Sequence, residues 1–475
     1  MPNFNVDQEV TSALLKLLPK NYYRILSASQ IRQLRLGYID QEFNFLQRSQ
    51  WFKLRELKNF QLKKLKQVVW YAYNNIPLYK RKFKKARITP SDIKSLEDVS
   101  KIPILSKDEV KKNFQDIIPP KGTIYRVAST SGSTGKPLRC LLSIDAVKWR
   151  DAILQRTYMW AGCDPAKDKI MGIAFPPSFT GAFINTKSLV FRGLKYLISN
   201  RLHWTPKVLD TKELLKIFYA MTKFQPKLIR TFPYIILYLS EIQDHFDVTF
   251  PKSLRCITLT GEGYPKKIIQ KLVDAEVFNH YGAAAEVGTI ASECKQNGLH
   301  IHMENHIVEV VKNNEILSNG EKGEVVITDF TNFDMPLIRY NIEDISSIEN
   351  DGCSCGRKLT MLEEVHGRKS DLLVSKDGKI ITDIAAILQA IDTAEGGFNK
   401  AVNQFRVIQE KIDKITLVIV PTSLFSEKTK KVIVSRVKNL LGNDVEIKVK
   451  LVDKISHGRK FRHVVSNVNK KLFES

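Results

Sequence analysis

The stretch Ser129-Thr130-Ser131-Gly132-Ser133-Thr134-Gly135-Lys136-Pro137 decides how the rest of this chain is read. Five hydroxyl residues and two glycines lead to a lysine, between the strand-like runs Val127-Ala128 and Leu138 to Leu142. That composition predicts a turn between two strands, with Ser131, Gly132, Ser133, Thr134, Gly135 and Lys136 able to wrap a polyphosphate. Glycines admit close backbone approach, hydroxyls donate hydrogen bonds and the ammonium supplies a point charge. The spacing is not that of a Walker A loop, because Thr130 and Pro137 stand where that pattern needs Gly and Ser/Thr. On composition alone an ordinary flexible linker remains the alternative.

Working outward, residues up to about 100 read as helical, with Val10 to Leu18 and a long amphipathic run from Ser49 to Asn75, punctuated by Pro77 and Pro90. From about Tyr125 short apolar runs alternate with helical segments, as in Leu254 to Leu259, then Pro265 to Val273, then Val277-Phe278. Such alternation predicts α/β layering. After Glu364 strand-like runs at Gln404 to Ile408, Lys414 to Val420 and Val445 to Val452 bracket a helix from Ser426 to Leu441. The expectation is a helical N-terminal extension (1–100), a large α/β domain (101–367) and a small α+β C-terminal domain (368–475).

The chain has 475 residues, 43% hydrophobic and 26% charged, values of a globular protein with a sizeable core. Met1 to Val10 shows no apolar signal region, and apolar stretches such as Phe232 to Leu239 fall far short of the roughly 20 residues that span a bilayer. Six cysteines without an export signal point to a reducing cytoplasm. The net charge is +24, and Gln61 to Pro90 holds nine Lys/Arg and no acid. A solvated basic face, an anionic membrane surface at the inner leaflet and a large anionic substrate compete to explain it. No nucleic-acid module is visible, so no nucleic-acid partner is expected.

Further segments follow the Ser/Gly loop in order. They are Asn279-His280-Tyr281-Gly282-Ala283-Ala284-Ala285-Glu286-Val287-Gly288, Ile338-Arg339-Tyr340-Asn341-Ile342-Glu343-Asp344, His366-Gly367-Arg368-Lys369-Ser370-Asp371 and Ser456-His457-Gly458-Arg459-Lys460. Together they resemble the core motifs of the adenylate-forming superfamily. Tyr73 to Tyr79, Ile102 to Lys107, Gly261-Glu262 and Glu293-Cys294 make the chain most similar to its phenylacetate–CoA ligase branch, with CapK-like members associated with capsule polysaccharide synthesis.

The resemblance implies an α/β adenylate-forming enzyme fold with a mobile C-terminal domain. It also implies ATP-dependent activation of a small-molecule carboxylic acid as acyl-adenylate, then transfer to an acyl acceptor: a thiol (coenzyme A or a carrier) or an amine. Lys136 and its loop then face the β- and γ-phosphates, and Glu286 binds Mg²⁺. Tyr281, next to Gly282, lies beside adenine unless it is an ordinary core tyrosine. Asp344 accepts both ribose hydroxyls, Arg368 contacts the nucleotide, Asp371 is the hinge, and Lys460 is the catalytic lysine. Two departures stand out. Ala285 replaces the usual Thr or Ser, removing a contact worth about 0.5–1.5 kcal/mol. Ser375-Lys376-Asp377-Gly378-Lys379-Ile380 differs from the usual sequence after the hinge, which bears on the acceptor. A catalytically degenerate homologue serving as a basic scaffold in polysaccharide assembly is the competing expectation.

A second constellation is independent of the nucleotide. Cys294 and His300, with Cys353-Ser354-Cys355 between glycines, supply three thiols and an imidazole, a sufficient set for structural Zn²⁺. His302 could replace His300, and buried free thiols are the plain alternative. Similar Cys/His placements occur in the phenylacetate–CoA ligase branch.

Overall fold

The computed structural model describes residues 36–120, 124–130, 137–173, 200–206, 210–243, 245–261, 266–349, 352–363, 365–366, 373–374, 380–381, 401–442, 444–455 and 464–468, with Gln33 and Gly122. Helices α1 (Asp40–Ser49), α2 (Leu54–Asn75) and α3 (Pro77–Ala86) come first. The amphipathic run therefore does not continue unbroken from Ser49 to Asn75. The chain turns at residues 50–53, where the Gln50 amide oxygen accepts from Trp160 Nε1 at 2.8 Å and Arg357 Nε at 2.9 Å. Helix resumes once the Glu56 carboxylate accepts from the Lys53 N–H. Pro77 opens α3 at its first position, where its missing N–H costs nothing.

Strands β1 (Arg126–Ser129) and β2 (Arg139–Leu142) pair antiparallel and flank the Ser/Gly loop as expected. Next come helices α4 (Lys107–Lys112) before this hairpin and α5 (Ile144–Trp160) after it. The central sheet contains β3 (Ile170–Ile173), β4 (Arg201–Trp204), β5 (Leu228–Thr231), β6 (Cys256–Thr260), β7 (Glu276–Ala283), β8 (Gly288–Glu293), β9 (Leu299–Ile301) and, at its edge, Met361–Leu362. Strand order is β4-β3-β5-β6-β7, all parallel, after which β8 and β9 continue antiparallel. Helix α5 covers one face through Tyr158, Ala161, Ile170, Leu228, Cys256 and Phe278. Helices α6 (Thr211–Phe224), α7 (Pro233–Gln243) and α8 (Lys266–Leu272) cover the other, where Ile229, Ile257 and Val277 point.

A second sheet joins β10 (His306–Lys312), β11 (Glu315–Ile316), β12 (Gly323–Asp329) and β13 (Tyr340–Ser346) antiparallel in the order β11-β10-β12-β13. Helices α2 and α3 share one core with it: Leu65, Val69, Tyr79 and Phe83 pack with Val325, Ile327 and Tyr340. Towards the C-terminus Val402–Lys411, Lys414–Pro421, Glu446–Leu451 and Val464–Ser466 form a mixed four-stranded sheet. Helix α9 (Glu427–Leu441) covers it through Ile433 and Val437, in agreement with the α+β expectation.

Candidate active site and metal cluster

The stem of the Ser/Gly loop is closed by Thr130. Its N–H donates to the Leu138 carbonyl and its hydroxyl accepts from the Leu138 N–H, both at 2.9 Å. The loop residues Ser131 to Lys136 lie outside the described residues, as do Arg368, Asp371 and Lys460.

The remaining nucleotide-side residues are brought together at the end of β7 and the middle of β13. Tyr281 donates its phenolic hydrogen to Asp344 Oδ2 at 2.9 Å, joining residues 63 apart in sequence. Gly282 has no alternative, since a Cβ there would lie 2.4 Å from the Gly288 carbonyl oxygen. The β7–β8 turn then presents Glu286, 7% exposed, whose carboxylate pairs with Lys107 Nζ at 2.9 Å. Arg150 of α5 fixes that turn by donating to the Glu286 carbonyl at 2.6 Å.

Lys107 reaches Glu286 because residues 102–107 run alongside β13. The Leu105 N–H donates to the Arg339 carbonyl at 2.8 Å and the Asn341 N–H to the Leu105 carbonyl at 3.0 Å. Arg339 holds the arrangement. Its guanidinium forks onto both Glu309 oxygens at 2.8 and 3.1 Å and donates to the carbonyls of Ser100 and Ile102 at 2.9 and 2.7 Å. Both Arg339 (φ 49°) and Glu343 (φ 67°) occupy the left-handed region that side chains rarely adopt, on either side of the strand segment leading to Asp344. Tyr79 supports the same strand, accepting from the Ile338 N–H at 2.8 Å and donating to the Pro336 carbonyl at 3.0 Å. Lys107, Arg150 and the Arg339–Glu309 clamp were not singled out by sequence reasoning. Lys107 and Arg339 stand inside quoted motifs, but nothing in sequence spacing gave them partners; Arg150 lay in no motif.

The second constellation also assembles. The donor atoms of Cys294, His300, Cys353 and Cys355 all lie within 4.8 Å of one another. Cys294 Sγ to Cys353 Sγ is 3.6 Å and Cys355 Sγ to His300 Nε2 is 3.2 Å. A tetrahedral zinc with ordinary bond lengths has S–S edges of about 3.8 Å and S–N edges of about 3.5 Å. Cys294 immediately follows β8, His300 sits on β9, and Gly356 (φ 85°) turns the Cys353–Cys355 knuckle. A Cβ on Gly298 would sit 2.8 Å from Cys353 Sγ and 3.1 Å from His300 Nε2, so that glycine leaves the cradle clear. Burial pushes the Cys294 thiol up to about 12 and the His300 imidazole down to about 4, which leaves His300 neutral. Burial would raise Cys355 too, but the Arg357 backbone N–H and guanidinium hold it below the ordinary thiol value. His300 Nδ1 faces the Leu359 carbonyl at 3.4 Å, directing Nε2 to the thiols.

His302 is not available as the alternative ligand. Its Nδ1 accepts from Arg156 at 2.7 Å and its Nε2 meets Ser292 Oγ at 2.9 Å. Its ring stacks on Trp160 at 5.2 Å. Arg156 is fully buried and forks onto Glu304, and it lies 5.0 Å from the Trp160 ring centroid. Arg357, two residues past the knuckle, stacks between Trp51 and Trp160, 4.8 Å from each centroid.

Comparison with known proteins agrees with this geometry. Residues 373–467 match the CapK C-terminal domain family model. The chain is 27% identical over 67% of its length to the phenylacetate-coenzyme A ligase of Escherichia coli K12, covering 72% of that protein. It is 26% identical over 71% of its length to the enzyme of that name from Thermus thermophilus, covering 76% of it. Protein CapK of Staphylococcus aureus is 23% identical over 88% of this chain and 91% of CapK. Among solved structures, a 2-hydroxyisobutyryl-CoA ligase in its postadenylation state superposes with a TM-score of 0.70 at 21% identity, over 89% of this chain and 92% of that one. With Tyr281 of β7 bonded to Asp344 of β13 and Glu286 on the turn after β7, the chain carries a CapK C-terminal domain, is similar over most of its length to phenylacetate–CoA ligases and to CapK, and shares the fold of an adenylate-forming CoA ligase.

Proposed function

We propose that this protein is an AMP-forming acid ligase: it activates a carboxylic acid with ATP and passes the acyl group to a thiol, coenzyme A or a carrier, or to an amine, in surface polysaccharide synthesis. The observation that supports this most is the junction of Tyr281, Asp344, Glu286 and Lys107. In it Asp344 accepts the ribose hydroxyls and the Tyr281 ring lies along adenine. Glu286 takes Mg²⁺, a hard cation suited to carboxylate oxygen, while Lys107 turns from Glu286 to the phosphates. Bound Mg²⁺ would supply neutralisation of triphosphate charge. The chain's own residues hold that charge in place, Arg150 through the Glu286 carbonyl and Arg339 through the strand carrying Asp344. We assign Lys136 to the phosphates, Arg368 to the nucleotide, Asp371 to the hinge, and the Cys294, His300, Cys353 and Cys355 cluster to one structural zinc.

The test is ATP–pyrophosphate exchange over a panel of carboxylic acids. Asp344→Ala is expected to raise the KM for ATP about 10-fold or more, with kcat less affected, because the lost contact holds the nucleotide in ground and transition state alike. Glu286→Gln is expected to lower Mg²⁺-dependent turnover. Wild-type behaviour of both variants places the nucleotide elsewhere. Absence of exchange with every acid favours the competing reading, a non-catalytic basic scaffold, for which Ala285 is the supporting feature.

We also propose peripheral contact with an anionic membrane. No helix of the described residues is long and apolar enough to cross one. On α2, however, Lys63, Lys66 and Trp70 are exposed at helical spacing, and on α3 so are Lys80, Lys84 and Lys85. Trp70 leaves 60% of its surface in solvent, a costly position for an indole without a partner. Basic residues beside an anionic leaflet contribute about 1 kcal/mol each. Co-sedimentation with phosphatidylserine vesicles is expected, falling steeply with salt and with Lys63→Gln/Lys66→Gln/Trp70→Ser. Equal sedimentation with neutral vesicles would remove the proposal.

A further inference from the structure

The two faces of the parallel sheet differ in chemistry along their C-terminal half. On the face covered by α6, α7 and α8, the strands carry Trp204, Ile173, Ile229, Ile257 and Leu259. On the α5 face, register pairs Gly172 with both His203 and Arg230, and Arg230 with Thr258. Two residues further on, Thr260 pairs with His280, so both share that face. Strands β4, β5, β6 and β7 thus present His203, Arg230, Thr258 and His280 on one face, with Gly172 of β3 between the first two. The row lies at the carboxyl ends of the strands, the edge where open α/β sheets hold ligands. It leads directly to the candidate nucleotide site, since His280 precedes Tyr281 and Thr260 precedes Gly261.

Three of these groups are buried, and Thr258 and His280 each hold a polar atom that nothing among the described residues satisfies. Arg230 is 8% exposed, Thr258 fully buried and His280 4% exposed. Among the described residues, Thr258 Oγ1 and His280 Nδ1 have no hydrogen-bond partner, although His280 Nε2 meets Thr289 Oγ1 at 2.8 Å. Buried polar atoms without partners are costly in a folded protein. Burial, together with the charges of Arg201 and Arg230, lowers His203 to about 3, and burial with Arg230 holds His280 well below its ordinary value. Both imidazoles are therefore neutral and can each donate one hydrogen bond. The Tyr158 phenol accepts from Arg230 on the α5 side. Arg230 lies two strand spacings from β7, about 10 Å, the scale of a small acid extending from the adenylation point.

We infer that this row is the acid-binding floor of the enzyme and that the acid carries oxygen acceptors at its far end, as a short hydroxylated or dicarboxylic acid does, rather than an aryl or alkyl tail. The inference rests on the ligase reading above. Arg230 donates to the distal oxygens, while Thr258 and His280 meet those nearer the activated carboxyl. An aryl ring would displace water from these groups and give no hydrogen bonds back, a penalty that separates such acids by about 10²–10⁴ in kcat/KM.

The experiment is ATP–pyrophosphate exchange by the full chain with three sets of acids: short monohydroxy and dihydroxy acids, short dicarboxylates, and phenylacetate, benzoate and hexanoate. The expected result is preference for one of the first two sets by at least about 100-fold, and which set wins identifies the distal oxygen as hydroxyl or carboxylate. Arg230→Met is expected to raise the KM for the preferred acid about 10–100-fold while leaving the KM for ATP unchanged, with Arg230→Lys intermediate. Preference for phenylacetate, benzoate or hexanoate overturns this inference and leaves the ligase reading standing. Exchange with no acid at all overturns both. The wild-type panel decides even if an Arg230 variant does not fold.

Discussion

Lys460→Ala is expected to lower acid-dependent ATP–pyrophosphate exchange by about 10²–10³, the scale seen when one preorganised charge is removed from a transition state. ATP affinity and melting temperature should change little. The expectation rests on the Ser456-His457-Gly458-Arg459-Lys460 motif, which falls within the matched C-terminal domain of residues 373–467. An ammonium brought to the reacting carboxylate and α-phosphate offsets charge that builds up only as the adenylate forms. Its loss should therefore appear in kcat rather than in nucleotide binding. On the ligase reading proposed above, the C-terminal domain rotates after adenylation, so transfer from a preformed acyl-adenylate should be far less impaired by the same substitution. Exchange at the wild-type rate in Lys460→Ala would show that the adenylating cation comes from elsewhere, with Lys107 the next residue to replace.

Metal removal should produce the second large effect. Purified protein is expected to contain about one zinc per chain. Cys353→Ser/Cys355→Ser should abolish it and lower the melting temperature by several degrees or more. Structural zinc binds with apparent free energies of about 10–16 kcal/mol in small domains, and even a fraction of that exceeds the usual margin of stability. Activity should fall with stability, because Cys294 immediately follows the strand that begins at the Glu286 turn. Elemental analysis without metal, with an unchanged melting temperature in the double variant, would return the four residues to ordinary thiols and a buried histidine.

The sequence made the β1–β2 hairpin legible through its glycines and hydroxyls, and the strand–helix alternation through apolar runs between turn signals. The C-terminal sheet and α9 followed from the same patterns. The four candidate metal ligands could be grouped because thiols are rare and a Gly-flanked Cys-x-Cys has few other uses. The choice of His300 over His302 was not legible. It depends on Arg156 and Ser292 occupying both nitrogens of His302, and those contacts span 146 and 10 residues. The break between α1 and α2 was hidden for a similar reason. Gln50 leaves the helix to serve Trp160 and Arg357, residues 110 and 307 positions away. The alignment of His203, Arg230, Thr258 and His280 was invisible because each of these strands contributes a single residue, and only the register sets them on one face.

The Arg339 clamp has a consequence for how this protein is made. Its guanidinium binds carbonyls 239 and 237 residues earlier, and Tyr79 closes on Ile338 across 259. A ribosome adds roughly 5–20 residues per second. The apolar sides of α2 and α3 therefore wait tens of seconds after emerging before β12 and β13 exist to cover them. During that interval Leu65, Val69 and Phe83, buried in the finished protein, face solvent or a chaperone. Truncation before β13 should consequently leave the N-terminal helices as an aggregation-prone fragment rather than a free-standing module.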